Sequence, residues 1–279
     1  LQKTTFLTFC SFSGMGYQAL IDAGFQSVGT IFSKTFYSDV CRLEDDYRRE
    51  LNSPFFQIYE TTKRFPISKV EQAELLISSI PPKYYELFIQ ALKNAKSSYF
   101  IWDIGKEVSK RDLSAISAFL EWNLWDIALI KDCSTRLGIP YRDTRFILVG
   151  KKGHDLVLMP SQKEMKCFDN LIDLIKPTGP IFIPCKDSSG NLYHKEQRPW
   201  SHVSIPDKNI LLERTLGIKY GASYYLLGGK VHRLTDKDTK AILKNPDLPF
   251  NVRKDSEKVF FHLREMPYLM WQDYIERII

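Results

Sequence analysis

The sequence is short of the residues that staple, anchor or repeat. Five cysteines (Cys10, Cys41, Cys133, Cys167 and Cys185) are spread over 279 residues. Their number is odd and no Cys-x-x-Cys pair occurs, so neither a disulfide framework nor a zinc ribbon is expected. The expectation is a reduced, intracellular protein with free thiols. His154, His232 and His262 lack metal-ligand spacing, so no metal is expected. No run approaches the ~20 uncharged apolar residues that span a bilayer, which argues against a membrane partner. The opening stretch LQKTTFLTFCSFSG has no long apolar core or small-residue cleavage site, so no signal peptide is expected. No internal repeat or low-complexity tract appears.

What is present is a globular composition: 44% hydrophobic, 13% aromatic and 26% charged residues. That is enough apolar material for a full core, and it excludes a disordered or collagen-like chain. Net charge is +6, and residues 181–260 alone carry 14 Lys+Arg against 9 Asp+Glu. The excess in that region fits either a polyanionic partner or a solvated lysine-rich surface.

Short apolar runs alternate with helical patterns in the first half, which predicts an α/β fold. TTFLTFCSF (4–12) reads as a buried strand, SGMG (13–16) as a turn, and YQALIDAG (17–24) as a helix closed by Gly24. FQSVGTIF (25–32) reads as a second strand and 39–51 as a charged helix. ELLISSI (74–80) is a strand halted by Pro81 and Pro82, and 82–96 an amphipathic helix. SYFIWDI (98–104) is a strand, and 109–123 a helix capped by Ser109. LWDIALI (124–130) and TRFILVG (144–150) complete the strand set. After Gly150 the texture becomes β-rich and irregular, with hairpin turns predicted at DSSGN (187–191) and LGGK (227–230). The last stretch, 265–279, reads as an amphipathic helix after Pro267. The expected organisation is an α/β domain over 1–155, a small domain over 156–250, and a C-terminal helix, 251–279, returning to the first domain.

Phe12-Ser13-Gly14-Met15-Gly16 lies between a strand and a helix, where glycines permit a tight turn and a helix N-terminus favours negative charge. Together with AlaLeu at 19–20 and AlaGlyPhe at 23–25, this turn resembles the opening motif of the DNA cytosine-5 methyltransferases. Further segments follow in the order of that family. ELLISSIPP (74–82) is similar to the strand before its Pro-Pro-Cys loop, and YFIWDI (99–104) to its Glu-Asn-Val strand. LGIPYRDTRFILVG (137–150) resembles the Gln-x-Arg-x-Arg segment, and HRLTDKDTKAILKNPDLPF (232–250) the Arg-x-Leu-Thr segment bordering the target-recognition domain. The resemblance covers nearly the whole chain. It implies a doubly wound, Rossmann-like S-adenosylmethionine-dependent methyltransferase fold with a small target-recognition-like domain.

The chemistry of that family needs a cysteine thiolate that attacks the base, a carboxylate that assists, and a base flipped from the stack. Here the loop reads Ile80-Pro81-Pro82-Lys83. Aligned on the prolines, Lys83 takes the nucleophile's place; aligned without a gap, Pro82 does. Trp102 stands at the glutamate position, with Asp103 one step along the strand and so on its other face. Tyr141-Arg142-Asp143-Thr144-Arg145 keeps only the second arginine, and HisLeuArgGluMetPro (262–267) replaces the last motif's Gly-Asn. The usual mechanism is therefore expected to be lost. If the chain is active, Lys83, Asp103 and Arg145 are the candidates.

For S-adenosylmethionine the resemblance nominates Phe12, Gly14 and Gly16, with Glu60 either touching the adenine or lying on the surface as an ordinary glutamate. The second strand ends in Phe32-Ser33-Lys34 without the expected acid, so cofactor binding stays open. For double-stranded DNA the candidates are Arg145, Arg198, Lys230, Arg233, Thr235 and Lys237, with Lys240, Lys244, Arg253 and Lys254 nearby as phosphate contacts. Tyr193, His194, Arg198, Trp200 and His202 either read and stack on bases or, in the case of Trp200, anchor a small domain. The leading expectation is a catalytically degenerate homologue that binds DNA beside an active methyltransferase or nuclease subunit. The alternatives are an active enzyme with altered chemistry and a scaffold binding neither DNA nor cofactor. The polar-Pro-Pro-aromatic loop of amino-group methyltransferases is a poorer match, because Ile80 and Lys83 interrupt it.

Overall fold

The computed structural model describes residues 4–11, 13–33, 56–59, 72–153, 155–160, 176–183, 185–186, 188, 190, 192–193, 203–204, 212–213, 224–249, 252 and 255–278. Its main sheet is built from β1 (Thr5–Phe9), β2 (Gln26–Ser33), β3 (Phe56–Tyr59), β4 (Leu75–Ser78), β5 (Tyr99–Gly105), β6 (Trp125–Cys133) and β8 (Thr144–Lys152). They lie in the order β3-β2-β1-β4-β5-β8-β6. The first five are parallel, and β8 runs antiparallel between β5 and β6. β1 and β4 are buried on both faces, which is why TFLTF and LLIS read as unbroken apolar or small-residue runs. β6 is an edge strand and alternates instead, with Leu129 and Lys131 exposed.

Helix α1 (Met15–Asp22) follows β1 directly, with Gly14 at φ 74° as its N-cap. Pro82–Tyr84 forms a 3₁₀ turn before α2 (Tyr85–Ala95), which buries Leu87, Phe88, Leu92 and Ala95. α3 (Lys110–Trp122) begins at Ser109, whose side chain accepts the Asp112 N–H at 3.0 Å, as the sequence predicts. The order of strands reverses between β1 and β4, the switch point at whose C-terminal edge α/β sheets bind ligands.

The later region holds short pieces. β7 (Tyr141–Arg142) pairs with β13 (Leu212–Glu213), and β10 (Cys185–Lys186) with β11 (Leu192–Tyr193). β9 (Ile181–Phe182), β12 (Val203–Ser204), β14 (Tyr224–Leu227) and β15 (Lys230–Arg233) form a sheet ordered β12-β14-β15-β9. The hairpin predicted at LGGK is present, with Gly228 and Gly229 at φ 57° and 73°. Its core is thin, Tyr224 and Val231 with Phe182 and Leu226, while Tyr225, Leu234, Ile242 and Leu243 join the main core.

Three helices follow: α4 (Asp236–Leu243), α5 (Asp255–Arg264) and α6 (Tyr268–Ile278). Two helices stand where one terminal helix is expected over 251–279, and the last of them starts after Pro267, as the sequence predicts. Pro267 sets the start of α6, and residues 265–267 form a link between two helices. α6 packs against α1. The helix expected at 39–51 lies outside the described residues.

Candidate functional site

The turn after β1 is closed by a residue from the far end of the chain. Glu265, 1% exposed, puts its carboxylate against it. Oε1 accepts from Ser11 Oγ at 2.7 Å and from Ser79 Oγ at 2.6 Å. Oε2 accepts from the Ser13 backbone N–H at 2.6 Å and from the Ser13 hydroxyl. One carboxylate therefore takes donors from the ends of both β1 and β4, at the N-terminus of α1, where a helix favours negative charge.

The neighbours of Glu265 act on the next strands. The Arg264 carbonyl accepts from Arg145 Nη2 at 2.7 Å, and the Met266 N–H donates to Asp103 Oδ2 at 3.3 Å. Three consecutive residues, the last of α5 and the first two of the α5–α6 link, thus cover the C-terminal ends of β1, β4 and β5. One step further, Trp271 of α6 sits over Gly16, where an added Cβ would lie 2.9 Å from both Trp271 and Ile77. Gly16 is small because a tryptophan packs on it, so its face is closed to a ligand.

Asp103 and Arg145 form a buried ion pair at 2.7 Å. Arg145 also donates through Nε to Asp143, which Lys106 approaches from its other side. Burial pushes the Asp103 carboxyl up to about 6, and Glu265 and Asp143 nearby add to the rise against the opposing pull of Arg145. Burial works against the Arg145 cation, but Asp103 and Asp143 outweigh it and raise its pKa. Arg145 is 3% exposed with its donors directed inward, so its nomination as a DNA contact is corrected. As a candidate for chemistry it holds Asp103 in place, and Asp103, 2% exposed, gives its oxygens to Arg145, Met266 and the Gly105 N–H.

Trp102 is fully buried. It stacks on Phe88 with ring centroids 4.2 Å apart and donates from Nε1 to the Ile80 carbonyl at 2.8 Å. The residue at the resemblance's glutamate position is therefore a core side chain that fixes the Pro-Pro loop. Lys83 is exposed on the 3₁₀ turn, its Nζ 4.8 Å from the Tyr84 ring centroid. It lacks the burial that would make an amine nucleophilic.

Of the DNA candidates, Lys230 and Lys237 are exposed and Arg233 is half-buried. Arg233 is held by its backbone: its N–H donates to Pro180 O at 3.1 Å, and Gly179 lies so close that a Cβ would stand 2.0 Å from the Arg233 carbonyl oxygen. Thr235 caps α4 in a reciprocal box with Asp238 and also bonds Thr178, so its hydroxyl is committed to structure. Lys240 is paired with Asp247 and Asp236. Phe12, Glu60, Arg198, His154, His194, Trp200, His202, Arg253 and Lys254 lie outside the described residues, as does the side chain of Tyr193.

His262 is buried between Asn245, at 3.1 Å, and Asp236, at 3.3 Å, and burial lowers its pKa. Burial would raise Asp236, but His262 and Lys240 beside it hold it below the usual carboxylate range. Among the described residues, no group of three or more His, Cys, Asp or Glu side chains is placed to hold a metal, and no helix is long and apolar enough to cross a membrane. The described cysteines, Cys10, Cys133 and Cys185, are free thiols. Sequence reasoning missed Glu265. The hints were HisLeuArgGluMetPro (262–267) in place of Gly-Asn and the small hydroxyls Ser11, Ser13 and Ser79 at two strand ends.

No sequence-family profile and no curated protein sequence matches this chain. Solved structures do. The Dnmt2 methyltransferase of S. pombe aligns over 99% of this chain and 98% of its own, with TM-score 0.63 and 12% identity. A mutant DNMT2 of Spodoptera frugiperda aligns over 99% of both chains at TM-score 0.66 and 10% identity. A structure described as an E. coli prophage DNA modification methyltransferase covers 98% of each at TM-score 0.63 and 11% identity. At these identities the likeness is one of fold. Together with the strand order and its antiparallel β8, it establishes that this chain has the α/β fold of the S-adenosylmethionine-dependent methyltransferases.

Proposed function

We propose that the chain is a non-catalytic relative of the DNA cytosine-5 methyltransferases that binds double-stranded DNA inside the cell, as the partner of an active methyltransferase or nuclease subunit. The observation that carries the reading is Glu265. Its carboxylate takes the Ser13 N–H and three serine hydroxyls at the switch point, while Trp271 covers Gly16. The described residues of this turn do not fit S-adenosylmethionine, whose own carboxylate would meet a like charge and spent donors there. The loss of a nucleophile after Pro82 and the burial of Trp102 support the same reading.

In this reading residues 1–155 are the methyltransferase-like domain, 156–250 the small recognition-like unit, and 251–279 the segment that seals the first domain. DNA contact falls to the exposed Lys230 and Lys237, with Arg233 beside them. Phosphate contacts of this kind give affinity that falls steeply with salt.

The test is calorimetry with S-adenosylmethionine on the purified chain, run beside a DNA-retention assay at graded salt. No heat and no melting shift at millimolar cofactor, with retention on duplex DNA that Lys230→Ala/Lys237→Ala weakens and whose salt slope falls by about one per lysine, is the expected result. Methyl transfer to DNA by the purified protein would overturn it.

A further inference from the structure

At the opposite edge of the main sheet lies a second concavity, of about 340 Å³, that plays no part in the arrangement above. Ser97 and Ser98, just before β5, line it with the ends of α2 and α3, the start of β6 and the end of β8. β5 has seven residues, so at ~3.3 Å per residue this hollow is about 20 Å from the Glu265 carboxylate along the sheet.

Its lining mixes apolar and polar groups, with Phe119 and Trp125 its two aromatic residues. Its rim is cationic. Lys93 Nζ lies 4.8 Å from the Phe119 ring centroid, Lys152 Nζ lies 5.5 Å from that of Trp125, and Lys96 is exposed beside them. Among the described residues none of the three lysines has a carboxylate within ion-pair distance. Lys152 also donates to the Asn123 carbonyl, so Lys93, over the Phe119 ring, and Lys96 are the charges left without an anionic partner among the described residues. Ser97, one of the lining residues, keeps its hydroxyl buried beneath the hollow's surface. An apolar hollow with convergent polar groups is the usual form of a small-molecule site.

We propose that this hollow binds a small organic anion with a planar apolar body. The ring system lies against Phe119 and Trp125, and the anionic head meets Lys93 and Lys96. The head is a phosphate or a carboxylate, and both share the chemistry that the lysines recognise.

The experiment uses 8-anilinonaphthalene-1-sulfonate as the probe on the intact chain, followed by its fluorescence. Saturable one-to-one binding is expected, weakened at least fivefold by Lys93→Gln/Lys96→Gln and by raising the salt, and unchanged by Lys110→Gln/Arg111→Gln at the other end of α3. All four positions are exposed, so folding should be kept, and a melting curve checks it. Adenosine monophosphate and 2-naphthoate are then added as competitors. Displacement by the first indicates a phosphate head and by the second a carboxylate head. Dye affinity that ignores the Lys93/Lys96 change, dye binding that never saturates, or a dye that neither competitor displaces overturns the proposal.

Discussion

Replacing Glu265 by alanine tests the closed turn directly. The carboxylate accepts four hydrogen bonds, three from hydroxyls that can rotate toward other acceptors and one from the Ser13 N–H, which cannot. Hydrogen bonds to a charged acceptor contribute about 1.5–3 kcal/mol each, and a buried donor left alone costs about 1–3 kcal/mol. Allowing the serines to recover part of the loss, Glu265→Ala should cost about 4 kcal/mol, equivalent to roughly 10 °C in melting temperature for a chain of this size. Urea unfolding reads it as a lower midpoint with an unchanged slope. Glu265→Gln should retain about half, because an amide oxygen can accept where its NH2 cannot. Acetate should restore part of the stability of the alanine variant by refilling the site. The same variant should begin to gain melting temperature from S-adenosylmethionine. A loss below about 1 kcal/mol, or a glutamine variant as stable as the parent, would refute the assignment of Glu265 as the closure of the turn.

Asp103→Asn should change the pH dependence of stability. The folded carboxyl, at about 6, holds its proton more tightly than an unfolded aspartate near 4, so stability falls as pH rises through that window. Relative to the variant, the parent should lose up to about 3 kcal/mol between pH 4 and 6. Parallel unfolding profiles would sink this reading. His262 has the opposite sign. Its lowered pKa removes stability as pH falls below about 6.5, and His262→Gln should abolish that acid-side loss in the same titrations. Gly16→Ala places a methyl 2.9 Å from Trp271 and Ile77, and should cost about 1–3 kcal/mol in chemical denaturation. Ser109→Ala removes the α3 cap and should cost about 1 kcal/mol by the same measurement, with no effect on dye or DNA binding.

Local signals carried most of the first half of the fold. The Ser109 cap, the glycines of the β14–β15 hairpin and the buried runs of β1, β4 and β5 declare themselves over a few residues. β6 was read short, ending at Ile130 rather than Cys133, because Lys131 and Asp132 break the apolar run; an edge strand has one wet face and tolerates them. α5 carries a polar first turn, Asp255-Ser256-Glu257-Lys258, and its buried Val259, Phe261 and Leu263 do not form a clean helical stripe. The departures from the cytosine-5 pattern were visible as letters, but their physical meaning was not. Trp102 shows as a core residue only when Phe88 and the Ile80 carbonyl are beside it. Glu265 meets Ser13 across 252 positions, a separation that no local pattern encodes.

That separation has a consequence for synthesis. A ribosome adding roughly 5–20 residues per second leaves Ser13 waiting on the order of tens of seconds for Glu265 to be made. Until then the nascent sheet has its strand ends open, with hydroxyls and an amide turned toward water or toward whatever anion the surroundings offer. The finished fold is therefore sealed by one of its late-made segments.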